Sequence, residues 1–219
     1  IIKEIRHRLQ GSKENTPGAW SDFEYDFSGS IFFYPVDFTH SYYAKPVNFS
    51  GSAYWGEADF SYSTYMDEVY FSESSYQGRA SFNGCIYQGE ADFRGSTYRR
   101  WAYFNDSICC GWAGLSHSVY EGEADFSGSI FCSDIYFGQD GDNSSFSRFT
   151  DCTPQFYDET NHKNTLFGSY NNNFTVENGR GYPIYRNFEG LPLGCKFLTS
   201  EQKEYLEGKL QEIDETKNK

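Results

Sequence analysis

GEADFSYSTY at residues 56–65, GEADFRGSTY at 89–98 and GEADFSGSIF at 122–131 are near-copies of one segment, evenly spaced along the chain. Around them a phenylalanine recurs every eleven residues, with one leucine in its place. This aromatic column consists of Phe27, Phe38, Phe49, Phe60, Phe71, Phe82, Phe93, Phe104, Leu115, Phe126 and Phe137. Repetition at a short fixed period predicts a solenoid, in which each unit packs only on its neighbours.

Three further columns keep the same register. A small or β-branched residue stands two positions before the column residue, a serine usually follows three positions after it, and an aromatic residue follows five positions after it. Small-x-Phe and Ser-x-Tyr each place two side chains on one side of an extended chain. The Gly, Ser and polar residues between them favour turns. Each unit therefore predicts two short inward-facing segments and two corners.

The length of one coil follows from packing. Two units, about 22 residues, close a four-sided coil that stacks on the next as parallel β-ladders about 4.8 Å apart. The near-copies recur every three units, but a coil of three units would enclose more space than these side chains fill, and protein interiors are close-packed. An eleven-residue period is also typical of right-handed coiled coils, but the Gly, Ser and β-forming residues disfavour a helix. We therefore predict an all-β solenoid with two units per coil, and interpret the three-unit spacing as a duplication length.

The repeat resembles the pentapeptide-repeat family, whose five-residue unit has a small residue, then Asp or Asn, then a central Leu or Phe. The matching tripeptides are ADF at Ala58–Phe60, Ala91–Phe93 and Ala124–Phe126, VDF at Val36–Phe38 and VNF at Val47–Phe49. The resemblance covers roughly residues 25–140 and implies a right-handed quadrilateral parallel β-helix. One extra residue, which makes each pair of pentapeptides eleven residues long, departs from the family pattern.

The pattern divides the chain into four segments. Residues 1–20 form an N-terminal segment, partly helical, and residues 21–140 form the pentapeptide-like β-helix. Residues 141–198 are expected to be an irregular coil and loops that close the solenoid, with Phe156 and Phe167 eleven residues apart. Residues 199–219 form a C-terminal helix.

The two terminal helices are predicted from helical periodicity and from capping signals. Ile2, Ile5 and Leu9 have helical spacing near the start of the chain. At the other end Thr199 and Gln202 have the spacing of a capping box. Leu206, Leu210 and Ile213 then lie roughly on one face of the predicted C-terminal helix.

No pattern in the chain indicates catalysis or a cofactor. The four histidines are scattered, and the paired acids recur with the repeat, which is more typical of a solvated face than of acid–base chemistry. Asp140-x-Asp142-x-Ser144 only loosely resembles a calcium loop, because the required turn glycine is missing. We predict a protein that is not an enzyme, with no catalytic residue, no metal site and no cofactor.

Two of the six cysteines form a candidate pair. Cys110 and Cys132 are separated by two repeat units, so a coil of that length makes them vertical neighbours at a separation suited to a disulfide. Two stacked free thiols are the alternative. Cys85 and Cys109 replace Ser and Tyr in inward columns and are expected to be packing residues. The compartment stays open, with a slight preference for the cytoplasm.

The negative charge of the chain indicates which classes of partner it can bind. The chain carries a net charge of −13, and residues 21–140 hold 17 acidic residues against 5 basic ones. An acidic surface repels nucleic acid, so direct binding to DNA or RNA is not expected. No apolar stretch reaches the length of a membrane helix. We therefore predict a protein-interaction module or scaffold with an unidentified protein partner.

Exposed aromatics beside arginine favour protein interfaces. The candidate interaction surface comprises Trp55, Arg99, Arg100, Trp101, Tyr103 and Trp112 with the repeated acids Glu57, Asp59, Glu90, Asp92, Glu123 and Asp125. Filling of individual corners is the alternative role for the tryptophans. The resemblance implies a second function, since some pentapeptide-repeat proteins act on type II topoisomerases as DNA mimics. Those proteins dimerise through C-terminal helices, which implies a homodimer here as well.

Overall fold

Two-residue strands separated by corners build the body of the protein. The structure, a computed structural model, describes residues 1–138, 146–177 and 179–216. The loop with Asp140, Asp142 and Ser144 lies outside these described residues. Between helix α1 (Ile2–Leu9) and helix α2 (Ser200–Thr216) the chain forms a parallel β-solenoid of about five coils. The predicted fold class is confirmed.

Four parallel sheets form the sides of the solenoid. Face 1 contains β1 (Tyr25–Asp26), β5 (Val47–Asn48), β9 (Val69–Tyr70), β13 (Ala91–Asp92), β17 (Ala113–Gly114) and β21 (Ile135–Tyr136). Face 2 contains β2 (Ile31–Phe32), β6 (Ala53–Tyr54), β10 (Ser75–Tyr76), β14 (Thr97–Tyr98), β18 (Val119–Tyr120) and β22 (Arg148–Phe149).

The other two sides follow the same order. Face 3 contains β3 (Val36–Asp37), β7 (Ala58–Asp59), β11 (Ala80–Ser81), β15 (Ala102–Tyr103) and β19 (Ala124–Asp125). Face 4 contains β4 (Tyr42–Tyr43), β8 (Thr64–Tyr65), β12 (Ile86–Tyr87), β16 (Ile108–Cys109), β20 (Ile130–Phe131), β25 (Leu166–Phe167) and β26 (Lys196–Phe197). A short antiparallel hairpin, β23 (Tyr157–Asp158) and β24 (Lys163–Asn164), stands apart from the four sides.

Strand register fixes the length of one coil. Ala80 pairs with Ala58 in one neighbouring coil and with Ala102 in the other, and both partners lie two repeat units away in the sequence. The near-copies that begin at Gly56 and Gly122 consequently share one corner, whereas the copy at Gly89 lies at the diagonally opposite corner. The three-unit spacing is therefore not the length of a coil.

Aromatic rings fill the interior as interlocked stacks. The ring of Phe60 lies parallel to that of Phe82 with centroids 5.2 Å apart, and meets the ring of Phe71 edge-on at 4.9 Å. Tyr54 and Tyr76 stack in the same way at 4.8 Å. From Phe38 to Phe137 the column residues are buried, while Phe27 at the open end is partly buried. Both arrangements are favourable for aromatic pairs, and the small residues make room for the rings.

The serine column satisfies backbone groups between coils. The Ser96 hydroxyl donates a hydrogen bond to the carbonyl oxygen of Phe71 at 3.0 Å and accepts one from the backbone N–H of Ser74 at 3.1 Å. Eight serines donate to a column carbonyl of the preceding coil in this way: Ser52, Ser63, Ser74, Ser96, Ser107, Ser118, Ser129 and Ser147. Because a buried, unpaired backbone group destabilises the fold, these hydrogen bonds explain why serine recurs in nearly every repeat unit.

Tight corners follow each column residue from Phe27 to Phe126. The residue two positions after the column residue has a left-handed backbone at every one of them. These residues are Gly29, Gly51, Gly84, Gly95 and Gly128, and the non-glycine His40, Tyr62, Glu73, Asp106 and His117. The residue before the phenylalanine caps several of these turns: Asp26 accepts from the Ser28 N–H at 2.9 Å, and Asn48 accepts from the Ser50 N–H at 2.9 Å.

The final coil keeps the columns but lengthens the corners. Phe149 stacks on Tyr120, Phe156 stacks on Phe126, and Phe167 stacks on Phe131. A further irregular coil is therefore present. However, Phe156 continues the phenylalanine column whereas Phe167 continues the Ser-x-Tyr column of face 4, because the β23–β24 hairpin is inserted between them. These two phenylalanines are eleven residues apart, which equals the repeat length, but they do not belong to equivalent positions of two repeat units.

Helix α2 folds back along face 4. The outward side chains of that face are mostly apolar: Tyr42, Ile86, Ile108, Ile130 and Leu166, with Thr64 and Lys196 as polar exceptions. Leu206 and Ile213 of α2 are buried, and Ile213 packs in one cluster with Tyr42 and Ile86. A helical turn rises about 5.4 Å and a coil about 4.8 Å, so successive turns meet successive coils.

The predicted capping box begins α2. The Thr199 N–H donates to Gln202 Oε1 at 2.9 Å, and the Gln202 N–H donates to Thr199 Oγ1 at 3.2 Å. At the other end of the solenoid, Leu9 of α1 is buried in the main core and Arg6 of α1 pairs with Asp37. The two helices thus pack on the solenoid at its first coil and along one side.

Candidate interaction surface

Two broad corners carry the residues that vary from coil to coil. The 2/3 corner, between faces 2 and 3, consists of residues 33–35, 55–57, 77–79, 99–101 and 121–123. The 4/1 corner, between faces 4 and 1, consists of residues 44–46, 66–68, 88–90, 110–112 and 132–134. Glycine recurs there where coils approach closely: a Cβ on Gly78 would lie 2.5 Å from the carbonyl oxygen of Gly56. The two corners are diagonally opposite.

The 2/3 corner brings together half of the predicted surface. Trp55 and Trp101 are 59% and 51% exposed, although large indoles are usually much more buried. The residues of this corner that were predicted are Trp55, Glu57, Arg99, Arg100, Trp101 and Glu123. Tyr103, Asp59 and Asp125 lie beside them on face 3, and the rings of Trp101 and Tyr103 are 6.4 Å apart.

A groove of about 600 Å³ runs across this corner. Its walls carry two ion pairs between coils, Arg79 with Glu57 at 3.1 Å and Arg99 with Glu121 at 3.7 Å. Within the described part of the chain, Arg100 makes no ion pair of its own. Arg79 and Glu121 were not among the residues predicted from the sequence. Both become visible when the sequence is written with one coil per row, because each then stands in the column of the predicted residues.

The exposed apolar surface continues towards the N-terminal end of the same corner. Phe33 and Tyr34 are 68% and 82% exposed in the first coil, next to a pocket between this coil and α1. We call the whole line the aromatic–arginine ridge, which consists of Phe33, Tyr34, Trp55, Arg79, Arg99, Arg100 and Trp101. It spans four successive coils of a rigid support.

The remaining predicted residues lie on the opposite side of the solenoid. Glu90 is exposed at the 4/1 corner, and Asp92 is buried on face 1 in an ion pair with Arg94 at 2.8 Å. Trp112 is half-buried: its indole covers Gly114, and the guanidinium of Arg94 lies 5.0 Å from the ring centroid. The structure therefore does not join these three residues to the ridge.

The repeated aspartates have a local structural role. Asp59 accepts a hydrogen bond from the backbone N–H of Ser61 at 3.0 Å, and Asp125 accepts one from that of Ser127 at 2.9 Å. Each carboxylate thereby caps a tight corner. Burial raises the pKa of Asp125, although its bonds to Ser127 act in the opposite direction. The D-x-S spacing is the sequence signal from which this role could have been predicted.

The cysteines occupy the predicted positions as free thiols. Cys85 takes a place in the serine column and donates to the Phe60 carbonyl at 3.2 Å, whereas Cys109 is buried in the tyrosine column. Cys110 and Cys132 are half-buried in adjacent coils at the 4/1 corner.

Neither a metal site nor a membrane helix is found in the parts of the chain that the structure describes. No three His, Cys, Asp or Glu side chains there are grouped to hold an ion, and neither helix is long and apolar enough to cross a bilayer. Comparisons with known protein families, curated proteins and solved structures gave no match to the chain. Sequence and structure together establish a parallel β-solenoid with two repeat units per coil, which is compatible with a pentapeptide-repeat fold.

Proposed function

We propose that the chain is a non-catalytic interaction module of the pentapeptide-repeat type, and that its aromatic–arginine ridge binds another protein. The observation that carries this proposal is the exposure of Trp55 and Trp101 next to Arg79, Arg99 and Arg100 on one corner. Tryptophan, tyrosine and arginine dominate the energetics of protein interfaces. A solenoid also holds them in fixed positions, which reduces the entropy lost on binding.

Binding by the ridge is testable with one double variant. Trp55→Ala/Trp101→Ala removes the two exposed indoles without touching an inward column, and Phe188→Ala removes an exposed ring outside the ridge as a matched control. A partner captured from the native host by the wild-type protein is expected to bind F188A equally and W55A/W101A at least tenfold more weakly, measured with purified components. Equal affinity of the ridge variant would contradict the proposal.

A second candidate, binding to a DNA-binding protein as a DNA mimic, has its own supporting observation. Glu68 and Glu90 are exposed at the 4/1 corner one coil apart, on a chain with a net charge of −13. The capping roles of Asp59 and Asp125 and the ion pair of Asp92 argue against counting every repeated acid as free charge. A supercoiling assay with a type II topoisomerase tests this candidate, since a mimic inhibits the reaction. Unchanged supercoiling would eliminate that topoisomerase as the target.

A homodimer through α2 stays a prediction, and only the outer side of the helix could form its contact. Leu206 and Ile213 are buried against face 4 of the same chain, so a dimer would use the outer side of the helix, where Tyr205 is 72% exposed. Light scattering of the wild type and of Tyr205→Glu tests this arrangement. Dimeric wild type and monomeric Y205E are expected, and a monomeric wild-type protein would contradict it.

A further inference from the structure

Two half-buried cysteines meet at the 4/1 corner, on strands that the backbone holds in register. Cys110 directly follows β16 and Cys132 directly follows β20, and Cys109 pairs with Phe131 in this ladder. The Cys132 N–H donates to the Cys109 carbonyl at 2.8 Å. Neighbouring strands are about 4.8 Å apart, and disulfides join Cα atoms about 4.4–6.8 Å apart. The Cα separation of the two cysteines is therefore within the range of a disulfide.

The two sulfur atoms already interact. The Cys110 thiol donates a hydrogen bond to the Cys132 sulfur, which lowers the pKa of Cys132 and raises that of Cys110. Lys203 of α2 also lowers the pKa of Cys132, whereas burial and the negative charge of Glu207 on the same helix raise it. The Lys203 Nζ is held there by its hydrogen bond to the Gly168 carbonyl at 3.3 Å. Cys132 is therefore the nucleophile of the pair.

The corner also leaves the pair accessible. Gly168 occupies the position above Cys132 in the next coil, where a Cβ would lie 2.5 Å from the Cys132 carbonyl oxygen. No side chain from that position covers the thiol. By contrast Cys85 is fully buried in the core, and burial raises its pKa to about 12, so it is not expected to react.

We propose that Cys110 and Cys132 form a redox-active dithiol, which a small disulfide such as oxidised glutathione converts into an intramolecular disulfide between adjacent coils. The Cys132 thiolate attacks one sulfur of the glutathione disulfide and releases one glutathione thiolate. The Cys110 sulfur, after losing its proton, attacks the Cys132 sulfur of the mixed disulfide and releases the second glutathione. The protein loses two electrons and two protons, and the glutathione disulfide is reduced to two thiols.

This site is independent of the ridge, since the 4/1 and 2/3 corners lie diagonally opposite. The new bond would close a loop of about 22 residues and restrict the unfolded chain. The oxidised protein should consequently unfold at a Tm roughly 5–10 °C above that of the reduced protein.

Redox titration with free and oxidised glutathione tests the proposal. The protein is equilibrated at graded ratios, quenched by alkylation and mapped by mass spectrometry. A species that lacks two hydrogens and yields a peptide cross-linked through Cys110 and Cys132 is expected, in monomeric protein. Alkylation of both thiols at every ratio, or oxidation that stops at glutathione adducts or intermolecular dimers, would overturn it.

Three variants test which cysteines react and how Lys203 affects Cys132. Cys110→Ser should trap the mixed disulfide on Cys132, and Cys152→Ser should leave the cross-link intact. Lys203→Gln should shift the alkylation rate profile of Cys132 to higher pH without loss of the fold, because Lys203 lies on the surface of α2. A profile for K203Q that coincides with that of the wild type would contradict the effect assigned to Lys203.

Discussion

Removal of one hydroxyl from the serine column should destabilise the solenoid far more than its size suggests. In Ser96→Ala the N–H of Ser74 and the carbonyl of Phe71 each lose a partner, at bonds of 3.1 and 3.0 Å between three buried residues. An unsatisfied buried polar group costs about 1–3 kcal/mol. Local relaxation recovers part of this, so we expect a loss of about 2–4 kcal/mol in the free energy of unfolding.

The assay is urea or guanidinium unfolding followed by circular dichroism, with all variants fitted to a common m-value. Ser72→Ala is the matched control, because Ser72 lies in the same corner and its side chain is half-buried and faces away from the column; its effect should stay below about 0.5 kcal/mol. Ser96→Cys should recover part of the loss, as Cys85 shows that a thiol can take this place. If S96A were as stable as S72A, the inter-coil role of the serine column would be refuted.

Four further predictions concern the corners and the core. Glu73→Gly should stabilise the fold by about 0.5–1 kcal/mol, because Glu73 has a φ of 57°, and Gly51→Ala should destabilise it by a similar amount in the same denaturation assay. Tyr76→Phe should change stability by less than about 1 kcal/mol and Tyr76→Ala should lower it by about 3–5 kcal/mol, since the ring rather than the hydroxyl fills the column. Cys109→Phe should lower the Tm, because the internal cavity beside this position has a volume of only about 10 Å³ and a phenyl ring adds far more than that; a higher Tm would show that the column opens to accept the ring. Asp125→Asn should raise the Tm at pH 7, because burial raises the pKa of Asp125 above its unfolded value of about 3.9. The gain should shrink as the pH falls through that folded pKa, and a gain independent of pH would contradict this cause.

The inward columns could be predicted because each coil repeats the same packing problem. Phe60 and Phe82 must stack if two repeat units close a coil, and the short period leaves few other solutions. The same argument placed Cys132 above Cys110.

The contacts of residues outside the inward columns were harder to predict from one sequence. Asp92 was interpreted as surface charge, but it is buried in an ion pair with Arg94. Trp112 was grouped with Trp101, but its indole packs over Gly114 on face 1. These contacts depend on single substitutions and not on the repeat. The docking of α2 also escaped prediction, although Ile86 and Ile108 recur once per coil on face 4 and mark an apolar stripe.

The length and register of the coil can be measured directly by engineered cross-linking. Ser75 and Thr97 are outward residues paired across face 2, whereas Ser75 and Ile108 are separated by three repeat units and lie on opposite faces. Under mild oxidation, with cross-links identified by peptide mapping, Ser75→Cys/Thr97→Cys should form its disulfide and Ser75→Cys/Ile108→Cys should not. A cross-link in the second protein and none in the first would mean that the chain does not close one coil with every two repeat units.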